Sequence, residues 1–229
     1  MSHPARPSVS CINCHFKKLC LPTGIDNHLV QRQSYQRGDV LFSEGDTLGH
    51  FHAVYAGAFK YVYQTTEGEE QIAHFFLPGD VAGLDAVYTR QPHAQAVAIT
   101  QSSVCSVPIT PLMQHIADQP HMQMALLELM SDHLKQHVQL IQHYRNADQR
   151  VAVFLLKLLS IDQQRGNTGR AFKMPMSRKE MANYLQLTPE TVSRTFTLLQ
   201  DNTWLQVSGR HVEICDQAAL EALTARSNA

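Results

Sequence analysis

The stretch from Ser177 to Gln200, SRKEMANYLQLTPETVSRTFTLLQ, restricts the fold most tightly because it holds two helix starts in close succession. Ser177 and Glu180 form S-x-x-E, the pattern of a capping box in which each side chain serves the other residue's backbone N–H. Met181, Ala182 and Leu185 then give the first helix one apolar side. The pattern breaks in LQLTP, where Thr188 is a good N-cap and Pro189 suits the first helical position. A second helix is expected from Pro189 to about Gln200, with Val192, Phe196 and Leu199 facing inward. Two short helices around a tight turn make a helix-turn-helix, a motif whose second helix offers its N-terminal residues to base edges in the major groove.

On that second helix Glu190, Ser193 and Arg194 stand at i, i+3 and i+4 and share an outward face. Their chemistry suits base reading. Arg194 donates two hydrogen bonds to guanine, Glu190 accepts from a cytosine amino group, and Ser193 meets polar or methyl edges. The plainer reading of this face is an exposed Glu190–Arg194 ion pair, worth about 0.2–0.5 kcal/mol. The next segment, WLQVSGRHVEI, favours DNA. It reads as two alternating strands around Ser208-Gly209, a wing that carries Arg210 and His211 to the phosphates. Ser177, Arg178 and Thr191, at the two helix starts, complete the candidate phosphate contacts. The net charge of the chain is only −1, yet Arg165 to His211 carries an excess of four cations, a local anion-binding signal.

The preceding residues have a different grammar. From Val30 to Pro108, glycines at 38, 45, 57, 68 and 79 punctuate short runs with apolar alternation, through Tyr61 and Tyr63 and through Ile72, His74 and Phe76. Such spacing suits a double-sheet barrel or jelly roll. No acidic residue follows His50 and His52 before Gly57, and they read as surface or packing histidines. From His121 to Tyr144 there is neither glycine nor proline, and Leu127, Met130, Leu134, His137, Ile141 and Tyr144 recur at steps of three and four. That is a heptad seam. Met122, Leu126 and Leu129 widen the apolar face of its first half toward the barrel, and the second half is expected to pair two copies in a symmetric dimer. His137, the polar member, makes that pairing a candidate for pH sensitivity.

Near the N-terminus, CINCHFKKLC places Cys11, Cys14 and Cys20 as C-x2-C-x5-C, and its first five residues also spell C-x-x-C-H. Haem attachment, a zinc site, an iron–sulfur ligand set and a redox thiol pair all fit the ten residues. The chain shows no signal-peptide pattern and no apolar run of the roughly 18 residues that a membrane span needs. A cytoplasmic protein is therefore expected. Covalent haem attachment belongs to exported bacterial proteins, so that reading loses its context. In the cytosol the five cysteines are expected to be free, metal-bound or redox-active rather than disulfide-paired. Cys215, near a strand end, is expected to be a buried thiol. Neither G-x-G-x-x-G nor a P-loop is present, and nothing reads as a site for substrate turnover.

Barrel, long helix and winged helix-turn-helix in this order resemble the cyclic-AMP receptor protein (CRP/FNR) superfamily of bacterial transcription regulators, over nearly the whole chain. The shared pieces are RGDVLFSEGD, GAFKYVY, FLPGDVAGLDA and PETVSR. PETVSR, the N-terminal cysteines and SSVCSVP resemble the oxygen-responsive FNR branch. The resemblance implies an α+β protein: a cysteine-rich arm (1–24), a double-stranded β-helix or jelly-roll sensor domain (25–120), a dimerisation helix (121–145) and a winged helix-turn-helix domain (146–229). It implies a 4Fe-4S cluster held by Cys11, Cys14, Cys20 and Cys105, and a homodimer that binds inverted TTGAT-like half-sites in double-stranded DNA under anoxia and loosens when oxygen destroys the cluster. RNA polymerase is a possible partner through the loop at Gly83 to Tyr88. Cyclic AMP is not expected, because PHAQAVA stands where nucleotide-binding members place Arg-Ser. Gln186 occupies a turn position that is usually glycine, where a left-handed L-residue costs about 1–2 kcal/mol.

Overall fold

The computed structural model describes residues 14–20, 30–142, 146–164 and 166–225. The chain divides into two compact units, Met1–His133 and Leu134–Ala229. The first unit opens with the short helix α1 (Lys17–Cys20). Eight strands follow: β1 (Gln31–Tyr35), β2 (Val40–Phe42), β3 (His50–Ala56), β4 (Phe59–Gln64), β5 (Glu70–Phe76), β6 (Val81–Ala82), β7 (Gln95–Ala98) and β8 (Ser102–Pro108). They form two antiparallel four-stranded sheets, ordered β1-β8-β3-β6 and β2-β7-β4-β5, the jelly roll foreseen from the glycine spacing. The turn between β3 and β4 requires glycine. Gly57 has φ +80°, and a Cβ there would lie 2.2 Å from the Ser102 hydroxyl oxygen.

One expected alternation fails. Tyr61 pairs with His74 while the adjacent Val62 pairs with Ile72, so Ala73 is an extra residue in β5. The resulting β-bulge sends Ile72 and His74 to opposite faces although they stand two apart. Tyr61 turns toward Phe42 and Phe76, whereas Tyr63, near the strand end, is exposed.

Two longer helices follow the strands, α2 (Ile109–Ala117) and α3 (Pro120–Gln142), the latter running past His133 into the second unit. Met122, Ala125, Leu126 and Leu129 of α3 join one core with Phe51, Val104 and Val107 of the sheets and with Phe16 and Leu19 of the arm. On the other side of α3, Leu127 and Leu134 are 58% and 64% exposed in the single chain. Met130 is partly buried against the same core. Tyr144 and the side chains of His137 and Ile141 lie outside the described residues.

In the second unit, α4 (Ala147–Gln164) buries Val151, Phe154, Leu155, Leu158 and Leu159. Around it stand β9 (Ala171–Lys173), α5 (Arg178–Leu185), α6 (Pro189–Asp201), β10 (Leu205–Ser208), β11 (His211–Ile214) and α7 (Gln217–Ala225). The expected hairpin β10–β11 is extended by β9 into a three-stranded sheet ordered β10-β11-β9. Cys215 is exposed rather than buried. It follows the last residue of β11, and the alternation that turns Ile214 inward turns Cys215 out.

Candidate DNA interface and cysteine site

The helix-turn-helix forms as its capping chemistry dictates. The Ser177 hydroxyl accepts the Glu180 N–H at 3.1 Å, and the Glu180 carboxylate accepts the Ser177 N–H at 2.7 Å. At the start of α6 the Thr188 hydroxyl accepts the Thr191 N–H at 3.2 Å, behind Pro189. Gln186 ends α5 in the left-handed region, φ 54° and ψ 46°, as its place in the turn demands. A glycine is free of the Cβ clash that Gln186 tolerates there.

Val192, Phe196 and Leu199 of α6 are fully buried, leaving Glu190, Ser193 and Arg194 together on the exposed side. Among the described residues no ion pair joins Glu190 to Arg194. The expected phosphate contacts are placed variously. Arg178 is half-buried with its guanidinium 4.3 Å from the centre of the Phe196 ring, a cation–π contact that ties α5 to α6. Arg210 donates to the Pro175 carbonyl at 3.2 Å, bracing the wing. His211 is exposed, opposite Lys173 on β9. Ser177 is engaged in its capping box and Thr191 is half-buried beside Thr188. Lys179, exposed at the start of α5, is a cation that the helix-start reading passed over.

Three of the cysteines, Cys14, Cys20 and Cys105, border the core of the first unit. Cys105 on β8 lies between Arg32 on β1 and Ala53 on β3, and Ala53 lies beside Val81 on β6. Residues in such a cross-strand row share a face, and so does Phe51, two residues before Ala53. Phe16 of the arm meets Phe51 edge-on, with ring centres 5.8 Å apart. Cys14, Cys20 and Cys105 are all partly buried against this one core. The arm is also pinned by polar contacts. His15 donates its backbone N–H to the Gly79 carbonyl at 3.1 Å, and its Nδ1 lies 3.4 Å from the buried Asp80 carboxylate. Lys18 pairs with Glu128 of α3. Among the described residues, no three Cys, His, Asp or Glu side chains converge on a point that could hold a metal ion. Cys11 lies outside the described residues.

Inside the roll, Phe42 stacks on His52 and touches Tyr61, which in turn touches Phe76. His52 is buried and its Nδ1 is 2.9 Å from the Ser106 hydroxyl, so it is a packing histidine, whereas His50 is exposed. Tyr61 donates its hydroxyl to the Asp85 carboxylate; burial first, then that carboxylate, pushes the phenol far up from its usual range.

Residues 149–223 match the Crp-like helix-turn-helix domain, and residues 32–119 match the cyclic nucleotide-binding domain. The transcriptional activator protein Anr of Pseudomonas aeruginosa is 35% identical, over 96% of this chain and 94% of its own. This chain belongs to the CRP/FNR family of transcription regulators. A second CRP/FNR relative, the fumarate and nitrate reduction regulatory protein of Yersinia pestis, is 33% identical over 94% of this chain and 90% of its own. The solved structure of FixK2 from Bradyrhizobium japonicum aligns with a TM-score of 0.77 at 27% identity, covering 86% of this chain and 98% of that one. As in other CRP/FNR regulators, the helix-turn-helix is the DNA-binding part.

Proposed function

We propose that the chain is an oxygen-responsive regulator of anaerobic metabolism in the cytoplasm, which binds inverted TTGAT-like half-sites as a homodimer while a 4Fe-4S cluster on Cys11, Cys14, Cys20 and Cys105 is intact. The observation that carries this reading is the place of the arm. Phe16 and Leu19 are buried in one core with Met122, Leu126 and Leu129 of α3, on the sheet face that bears Cys105. The donor chemistry fits, since thiolates ligate such clusters, and three on an arm with one on a strand make the cofactor report on arm docking. When bound, the cluster supplies an oxygen-labile link between arm and sheet. The chain does the rest: α1 packs beneath α3, Lys18 holds Glu128, and the opposite side of α3 presents Leu127 and Leu134 for a second copy. A signal at the arm thus acts on dimerisation through a difference in free energy between docked and undocked arm.

The relatives' names, the fumarate and nitrate reduction regulatory protein and the anaerobic regulatory protein of Pasteurella multocida, support the assignment to anaerobic metabolism. Glu190, Ser193 and Arg194 read bases in this proposal, and Arg210, His211, Arg178, Ser177 and Thr191 approach phosphates. Cyclic AMP has no role in this proposal, since PHAQAVA offers a phosphate no cation. RNA polymerase meets the loop at Gly83 to Tyr88, where Tyr88 is 93% exposed. No turnover is assigned to any residue. No described helix is long and apolar enough to cross a membrane.

Four thiolates also suit zinc. The arm turns His15 to Asp80, so a zinc site here would rest on the cysteines alone. Purification under strict anoxia separates the two metals. The proposal expects brown protein with equal iron and acid-labile sulfide, and loss of both in Cys105→Ser. Colourless protein with one zinc per chain overturns it.

A further inference from the structure

The base-reading assignment leaves open what fixes the aim of α6. Thr195 is 2% exposed among apolar neighbours, and its hydroxyl donates to the Asp148 carboxylate of α4 at 2.6 Å. Valine fills the same space without needing a partner, so the hydroxyl adds direction rather than volume. Asp148 sits in the first turn of α4, where the helix dipole favours a carboxylate. The next two residues reach two further helices. Gln149 donates to the Leu223 carbonyl of α7 at 3.3 Å, and Arg150 donates to the Leu185 carbonyl at the end of α5 at 3.1 Å, beside the left-handed Gln186. Leu185 is among the carbonyls a helix end leaves without an internal partner. Three successive side chains of one turn therefore tie down α5, α6 and α7.

We propose that this first turn of α4 sets the rotation of the recognition helix, with Asp148 and Thr195 as positioning residues for the face formed by Glu190, Ser193 and Arg194. The proposal rests on the base-reading assignment above. Thr195 adjoins Arg194 and lies roughly 160° around the helix from Ser193, so its bond holds the back of α6 while the front reads. At the side-chain radius of about 6 Å, a rotation of 10° moves a tip by about 1 Å, more than the roughly 0.5 Å that a recognition constellation tolerates. Non-specific binding depends on cations near phosphates and is less sensitive to that rotation.

The test uses the full chain purified under anoxia, an operator that the wild-type protein selects from a random duplex pool, and a scrambled duplex of equal length at the same salt. Thr195→Val is expected to weaken operator binding about tenfold, with scrambled-duplex binding and the thermal midpoint little changed. Thr195→Ser, which keeps the hydroxyl, is expected to restore the operator preference. A wild-type preference in Thr195→Val overturns the proposal, and so does equal weakening on both duplexes, which marks a merely structural role. If Thr195→Val does not fold, Asp148→Ala removes the acceptor from a half-buried site and is read by the same criteria. Arg194→Ala separates the two claims. A retained preference there overturns base reading by Arg194, whereas a preference lost in Arg194→Ala but kept in Thr195→Val overturns positioning alone.

Discussion

His52 shows how one buried side chain writes a pH dependence into the roll. Burial first, then the neighbouring His50, pushes its pKa down from 6.5 to about 4. The folded roll thus keeps His52 neutral where the unfolded chain takes up a proton. The stability tied to that neutrality is complete above pH 6.5, drains away as pH falls toward about 4, and changes no further below. At 1.36 kcal/mol per pKa unit the total reaches about 3 kcal/mol. An imidazole NMR titration is expected to find His52 still neutral at pH 5, and His52→Phe is expected to flatten the urea midpoint between pH 6.5 and 4. Single residues were unevenly legible. Thr188, Pro189 and Gln186 could be read because caps and turns obey local chemistry. Thr195 could not, because its partner stands in another helix and no period in the sequence connects them.

At the scale of elements, α3 divides its apolar residues between two sides. Met122, Ala125, Leu126 and Leu129 bind its first half to its own roll, and Leu127 and Leu134 look away from it. In the proposed dimer this is the face that the second copy covers. Leu134→Glu is expected to raise the dimer dissociation constant at least about tenfold while sparing the fold, as followed by sedimentation equilibrium and circular dichroism. The heptad spacing revealed this helix because a repeat over several turns outweighs local noise. The bulge at Ala73 was hidden, since an inserted residue in β5 leaves composition and alternation looking intact on either side. β9 was hidden as well: three residues form a strand only because β11 offers them an edge.

At the scale of the whole molecule, the proposed function links a cysteine-bearing arm to a base-reading helix by way of α3, whose first half packs on the roll. Order along the sequence revealed the architecture, because strands, seam and capped helices each have their own period. Where the arm packs was not legible, since that rests on Phe16 against Phe51 and His15 against Asp80, contacts between distant residues that cysteine spacing does not encode. The proposed coupling makes operator binding depend on the cofactor with no change in any DNA-contacting residue. The direct test is the equilibrium affinity of one anoxic preparation for its operator, by fluorescence anisotropy, before and after exposure to air, with iron measured on the same samples. The account predicts that affinity falls at least about tenfold as iron is lost, which is about 1.4 kcal/mol or more. Equal affinity in both samples, with the iron gone from the second, contradicts it.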